Sequence, residues 1–121
     1  MQKKKVLIVD DEIELSEVIL YRLEALGYDV QLAENGRVGV DKAIQYSPDL
    51  ILLDALMPVM NGYEASLQLK EDKRTQNIPV ILFTAALDTS IGRKCLKYSD
   101  DLLVKPYDTQ ELVQKIEQLV N

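Results

Sequence analysis

Short apolar runs alternate with longer amphipathic stretches along the whole chain, and this alternation limits the fold more than any other feature. The apolar runs have the length of buried strands and cover residues 6–9, 28–33, 50–53, 80–83 and 102–104. Residues 50–53 are apolar at every position, which is typical of a strand covered on both faces of a parallel sheet. Regular alternation of strands with helices predicts an α/β fold with a parallel sheet and right-handed crossovers.

The stretches between these runs have the spacing of amphipathic helices. Before residue 27, apolar side chains recur every three or four positions, and Gly27 follows where a helix C-terminus favours glycine. The last helix is predicted from Asp108 onward, with Asp108 as its N-cap and Glu111 completing a capping box. Residues 88–98 have the weakest helix propensity, and we expect that element to be the most mobile.

Length and composition restrict the class of protein. The 121 residues suit one domain, residues 1–121. No apolar stretch approaches the roughly 20 residues of a membrane helix, and no signal-peptide core follows the basic first residues. The single cysteine, Cys95, cannot form an internal disulfide, so we expect a cytoplasmic protein without membrane contact. A net charge of −6 without a basic stripe argues against direct binding of nucleic acid. The absence of histidine excludes histidine-based triads and the usual zinc sites.

Polar residues interrupt the pattern where four of the predicted strands end. Asp10 and Asp11 follow the first strand, Asp54 the third, Thr84 the fourth and Lys105 the fifth. In open parallel sheets, ligands bind outside the carboxyl ends of the strands. Any one of these residues alone is more often a helix cap or a turn residue, but their joint placement favours a functional site.

The chemistry of this set is coherent. Clustered carboxylates repel one another and favour a hard divalent cation, of which Mg²⁺ fits best. A carboxylate can also attack phosphorus to form an aspartyl-phosphate, a reaction that mainly needs alignment and charge stabilisation. Lys105 and the hydroxyl of Thr84 are suited to stabilise the phosphoryl oxygens.

The motifs resemble the receiver domain of two-component response regulators over essentially the whole chain. They are Val-Leu-Ile-Val-Asp-Asp-Glu at 6–12, Asp-Ala-Leu-Met-Pro-Val-Met-Asn-Gly at 54–62, Thr-Ala at 84–85 and Lys-Pro-Tyr at 105–107. The resemblance implies a flavodoxin-like, doubly wound (βα)5 fold with a parallel sheet in the order 2-1-3-4-5.

The resemblance also implies roles for individual residues. Asp54 is the phosphoacceptor, and Asp11 and Asp54 ligate Mg²⁺ directly, with Mn²⁺ as a possible substitute. The backbone carbonyl of Leu56 is a third protein ligand, and Asp10 acts through a metal-bound water.

Further implied roles concern the phosphoryl group and the switch. Thr84, Ala85 and Lys105 bind the phosphoryl group or line its access, and the Lys105–Pro106 peptide bond is cis. The family often has an aromatic switch residue three positions before the lysine, where this chain has Leu102. Tyr98 and Tyr107 are expected to be packing residues instead of substitutes for it.

The resemblance implies that the chain catalyses only its own phosphorylation and dephosphorylation. A sensor histidine kinase or a histidine phosphotransfer protein supplies the phosphoryl group, and a downstream effector protein or a fused output domain receives the signal. A non-phosphorylated pseudo-receiver is the alternative. An aspartyl-phosphate phosphatase is disfavoured, because Leu56 stands where such enzymes commonly place a second acid.

Overall fold

Strands and helices alternate strictly in the computed structural model, which describes residues 2–120. The strands are β1 (Lys5–Val9), β2 (Asp29–Ala33), β3 (Leu50–Leu53), β4 (Val80–Thr84) and β5 (Asp101–Val104). The helices are α1 (Ile13–Ala25), α2 (Gly36–Tyr46), α3 (Gly62–Glu71), α4 (Ser90–Leu96) and α5 (Thr109–Val120). Each strand agrees with its predicted range to within one residue at either end, and Thr84 is the last residue of β4 instead of the first residue after it.

The strands form one parallel sheet in the order β2-β1-β3-β4-β5. The predicted doubly wound fold is therefore confirmed. The chain moves outward from β1 to β2 on one side, and from β3 to β5 on the other. The strand order thus reverses between β1 and β3, whose carboxyl ends flank the position where such sheets bind ligands.

Helices cover both faces of the sheet, which explains why β3 is buried at every position. Helices α1 and α5 pack on one face, where Leu23 and Ile116 contact the cluster that contains Ile8. Helices α2 and α3 pack on the other face, where Val40 belongs to the cluster that contains Leu7. Neighbouring residues of β1 thus point into opposite layers, as the alternation of side chains along a strand requires.

Local signals set several helix ends. Gly27 follows α1 with a φ of +97°, the left-handed conformation that glycine adopts most easily. Asn61 and Glu64 form a reciprocal capping box at the start of α3. The side chain of Asp108 accepts a hydrogen bond from the N–H of Gln110 at the start of α5. Across residues 2–120, none of the helices is long and apolar enough to span a membrane.

Candidate functional site

The carboxyl ends of the strands bring the predicted polar residues to one edge of the sheet. Asp10 directly follows β1, Asp54 follows β3 and Lys105 follows β5, while Thr84 ends β4. Asp10, Asp54 and Thr84 are 1%, 7% and 0% exposed, so this edge is a buried polar site and not a solvated rim. Buried charges require partners, and the contacts of Lys105 supply them.

Lys105 is the centre of the site. Its Nζ lies 2.8 Å from Asp10 Oδ2, 3.3 Å from Glu12 Oε1 and 3.5 Å from Asp54 Oδ2. It also lies 4.7 Å from the centre of the Phe83 ring. Burial would lower the pKa of Lys105, but the hydrogen bond to Asp10 and the charges of Asp54 and Asp10 raise it above its usual value. The ammonium is therefore a permanent positive charge beside two buried carboxylates.

Carboxylate oxygens of Asp10, Glu12 and Asp54 lie within 4.8 Å of one another. A set of oxygen donors at this spacing suits a hard divalent cation such as Mg²⁺. Asp11 is exposed and does not belong to this group of carboxylates among residues 2–120. Partial burial, followed by the neighbouring Asp10, raises the pKa of Asp11.

Glu12 is the member of the site that the sequence analysis missed. Its sequence signal was the third acid in the run at 10–12, three positions beyond the end of β1. No local pattern at residue 12 indicates a contact with Lys105, and only the fold shows that the Glu12 side chain reaches it.

Asp54 combines burial with several hydrogen-bonding and charged neighbours. Its Oδ1 accepts a hydrogen bond from the N–H of Ala55 at 2.7 Å. Burial raises the pKa of Asp54 and Asp10 adds to the effect, while the charge of Lys105 and hydrogen bonds from Thr84 and Ala55 act in the opposite direction. The net effect is a raised pKa, because removal from water outweighs the favourable contacts.

The loop after Asp54 packs tightly against the site. The N–H of Gly62 donates to the carbonyl of Ala55 at 2.8 Å, and a Cβ at residue 62 would overlap the carbonyl oxygen of Asp54. The glycine of the quoted motif is therefore required by a close approach of two backbones. Leu56, two residues after Asp54, is 43% exposed.

The predicted switch residues lie around the ends of β4 and β5. Thr84 Oγ1 accepts a hydrogen bond from the N–H of Ala86 at 3.0 Å, and Ala85 is exposed. The peptide bond between Lys105 and Pro106 is cis.

The aromatic residues near the site contact other rings. Tyr98 lies 6.0 Å from Tyr63 between ring centres, and Tyr107 lies 6.5 Å from Phe83 edge to face. Leu102 packs partly buried against the small cluster that contains Cys95.

A groove of about 520 Å³ begins at the site and extends between α1 and the segment that joins β5 to α5. Asp10, Glu12 and Lys105 line its polar end. Its apolar side includes Leu15 and Val18, which are 55% and 49% exposed.

Comparison with known proteins identifies the family. The family model described as "Response regulator receiver domain" matches residues 6–117, which is nearly the whole chain. The chain belongs to this family. It is thus a module of two-component signalling systems, and the predicted receiver fold and family are confirmed.

Curated relatives of this receiver domain are longer regulators. It is 37% identical over 119 residues to the DNA-binding dual master transcriptional regulator RpaA of Synechocystis, covering 96% of this chain and 48% of the relative. It is 41% identical over 113 residues to the response regulator ArlR of Staphylococcus saprophyticus, covering 93% of this chain and 50% of the relative. The chain therefore spans about half the length of the curated relatives it matches.

Solved receiver structures have the same fold. The receiver domain of a sensor histidine kinase from Pseudomonas aeruginosa, solved with magnesium in its active site cleft, has a TM-score of 0.90 and 29% identity, covering 98% of both chains. The response regulator TrrA of Thermotoga maritima, solved with Mg²⁺ and BeF, has a TM-score of 0.83 and 31% identity, covering 96% of this chain and 98% of TrrA.

Proposed function

We propose that this receiver domain accepts a phosphoryl group on Asp54 in a Mg²⁺-dependent reaction and signals by a change of conformation. The observation that carries the proposal is the position of Asp54, a buried carboxylate whose Oδ2 lies 3.5 Å from the ammonium of Lys105. An acceptor needs a carboxylate oxygen and a fixed positive charge beside the incoming phosphoryl oxygens. Asp54 and Lys105 supply both.

The transfer is a displacement at phosphorus. A carboxylate oxygen of Asp54 forms a bond to phosphorus, the bond between phosphorus and the donor's leaving group breaks, and the leaving group departs with the electron pair. Lys105 and the Thr84 hydroxyl donate hydrogen bonds to the phosphoryl oxygens. The N–H of Ala55, 2.7 Å from Asp54 Oδ1, holds the carboxylate in place.

The cation would be held by Asp11 and Asp54 directly, by the backbone carbonyl of Leu56, and by Asp10 through water. Mg²⁺ would supply charge neutralisation between the carboxylates and the phosphoryl oxygens. A cation at this edge is supported by the neighbouring carboxylates of Asp10, Glu12 and Asp54 and by the magnesium-containing structures of two similar proteins. The choice of Asp11 as a direct ligand rests on the family resemblance.

The switch would begin at Thr84. Its Oγ1 accepts a hydrogen bond from the N–H of Ala86, which belongs to the loop that leads to α4. If the Thr84 hydroxyl moved to bind a phosphoryl group, this loop would move with it. Helix α4 has only seven residues, which suits an element that moves easily. Phosphorylation biases an existing equilibrium by interacting differently with its two states. The output surface would comprise α4, β5 and α5.

The partners follow from the same chemistry. Asp54 needs an external donor, which we assign to a sensor histidine kinase or a histidine phosphotransfer protein in the cytoplasm. The groove beside α1 offers a docking surface, because it starts at Lys105 and continues along exposed apolar side chains. A downstream effector or a fused output domain would read the switch, and the chain itself would catalyse only its own phosphorylation and dephosphorylation.

Incubation with acetyl phosphate and Mg²⁺, followed by intact mass, tests the proposal. We expect the wild type to gain one phosphoryl mass, and we expect Asp54→Ala or removal of Mg²⁺ with EDTA to abolish the gain. Circular dichroism of the variant serves as the folding control. No gain by folded wild-type protein would support a pseudo-receiver instead.

A further inference from the structure

Glu12 occupies the N-cap position of α1, but its side chain does not cap the helix. Its carboxylate instead lies 3.3 Å from Lys105 Nζ. The N–H of Glu12 donates to Asp10 Oδ1 at 3.1 Å, which holds the backbone of residue 12 against the site. Helix capping therefore does not explain the position of this side chain, whereas its contact with Lys105 does.

The contact with Glu12 is the most easily released of the three that Lys105 makes with carboxylates. The Glu12 side chain is 52% exposed, against 2% for Asp10 and 10% for Asp54. Releasing a buried carboxylate leaves its charge unpaired, whereas an exposed one returns to water at little cost. A phosphoryl group on Asp54 needs a hydrogen bond from Lys105, so one present contact must weaken.

We propose that Glu12 is a positioning residue that restrains Lys105 in the unphosphorylated protein and thereby slows phosphoryl transfer to Asp54. The inference rests on the proposed role of Asp54 as the acceptor. Glu12 forms no covalent bond in the reaction and exchanges no proton. The hydrogen bond that Lys105 donates to Glu12 is replaced by one that Lys105 donates to the phosphoryl group. In the same step the bond between phosphorus and the donor's leaving group breaks.

Glu12→Gln tests the restraint, because it keeps the shape of the side chain and removes the charge. Glu14→Gln is the matched control, since Glu14 is exposed, lies in the first turn of α1 and carries the same charge. The measured quantity is the second-order rate constant for phosphorylation by acetyl phosphate at saturating Mg²⁺, followed by intact mass. We expect Glu12→Gln to raise it roughly two- to fivefold, the size of a partly exposed ion pair, and Glu14→Gln to leave it unchanged.

A double-mutant cycle tests the contact without any phosphorylation. Glu12→Gln and Lys105→Met, alone and together, are compared by urea unfolding in Mg²⁺-free buffer. We expect the unfolding equilibrium constants to deviate from additivity by roughly two- to fivefold, with the pair stabilising the fold. The same cycle with Glu14→Gln in place of Glu12→Gln should be additive.

The outcomes separate the two proposals. If the wild type accepts no phosphoryl group, the proposed function fails and the role of Glu12 fails with it. If the wild type is phosphorylated but Glu12→Gln matches Glu14→Gln or reacts more slowly, only the role of Glu12 is overturned. An additive cycle between Glu12 and Lys105 would likewise overturn it.

Discussion

Val59 is strained in the loop that follows Asp54. It has a φ of +68°, and the N–H of Met60 donates to the carbonyl of Pro58 at 2.7 Å, which closes a γ-turn around Val59. β-Branched residues rarely adopt positive φ, and the conformation costs roughly 1–2 kcal/mol. The carbonyl of Met60 also accepts from the N–H of Gly36 at 3.0 Å, so the loop is fastened to the start of α2. That attachment explains why the strain persists.

Val59→Gly should therefore stabilise the protein. Glycine relieves the strain but gains entropy in the unfolded chain, so we expect a net gain of about 0.5–1 kcal/mol. The 80% exposed side chain buries little apolar area that the substitution would remove. Urea unfolding measures the change. Val18→Gly is the control, since Val18 is an exposed valine within α1 and its replacement should destabilise by a few tenths of a kcal/mol, because glycine is a weaker helix former than valine. A loss of stability in Val59→Gly would show that the positive φ of Val59 does not strain the folded state.

At the scale of elements, an ion pair joins β5 to α5. Lys115 Nζ lies 3.0 Å from Asp101 Oδ1, and the N–H of Leu102 donates to the same oxygen at 2.7 Å. Burial raises the pKa of Asp101, but the hydrogen bonds from Lys115 and Leu102 outweigh it and hold the pKa below its usual value. The folded state therefore prefers the ionised carboxylate.

This preference predicts a pH dependence. A carboxyl with a depressed folded pKa contributes stability above its unfolded pKa of about 4, and the contribution disappears as pH falls through the folded pKa. We expect Asp101→Asn to lower the free energy of unfolding by less than about 1 kcal/mol at pH 7, because the pair is partly exposed. The difference from the wild type should vanish below the folded pKa. If the difference in free energy of unfolding stayed constant from pH 7 to acid pH, Asp101 would not be the group with the lowered pKa that stabilises the fold.

At the scale of the whole molecule, the clustered charge of the candidate site opposes the stability of the fold. The sheet edge gathers carboxylates of Asp10, Glu12 and Asp54, and Lys105 balances only part of their charge. Repulsion within a partly buried site is unfavourable without a cation. A cation that binds only the folded state stabilises it by mass action.

Asp54→Asn should separate the repulsion between the carboxylates from the stabilisation by a bound cation. In EDTA we expect the variant to be about 1 kcal/mol more stable than the wild type, because a neutral amide replaces a buried charge while Lys105 keeps two carboxylates. Added Mg²⁺ should raise the unfolding temperature of the wild type more than that of the variant. Differential scanning calorimetry measures both. A variant less stable than the wild type in EDTA would show that the charge of Asp54 supports the fold.

Local sequence patterns were sufficient to predict the strands and two helix ends. The strands follow from apolar runs bounded by polar residues, and their ends agree with the structure to within one residue. Gly27 ends α1 and Asp108 caps α5 through backbone preferences and hydrogen bonds that operate within a few residues. Placement of polar residues at the ends of parallel strands was sufficient to predict that Asp10, Asp54 and Lys105 lie together.

The strand order and the contacts between residues distant in sequence depend on the tertiary structure. The strand order was implied by resemblance, because a local pattern carries no information about which strands are neighbours. No local pattern linked Glu12 to Lys105, and their contact exists because β1 and β5 end at the same edge of the sheet. The positive φ of Val59 contradicts its own local preference, since the hydrogen bond between Met60 and α2 holds the loop in place. Contacts between residues distant in sequence overrode local tendencies at the site, where packing supplies the energy that local preference lacks.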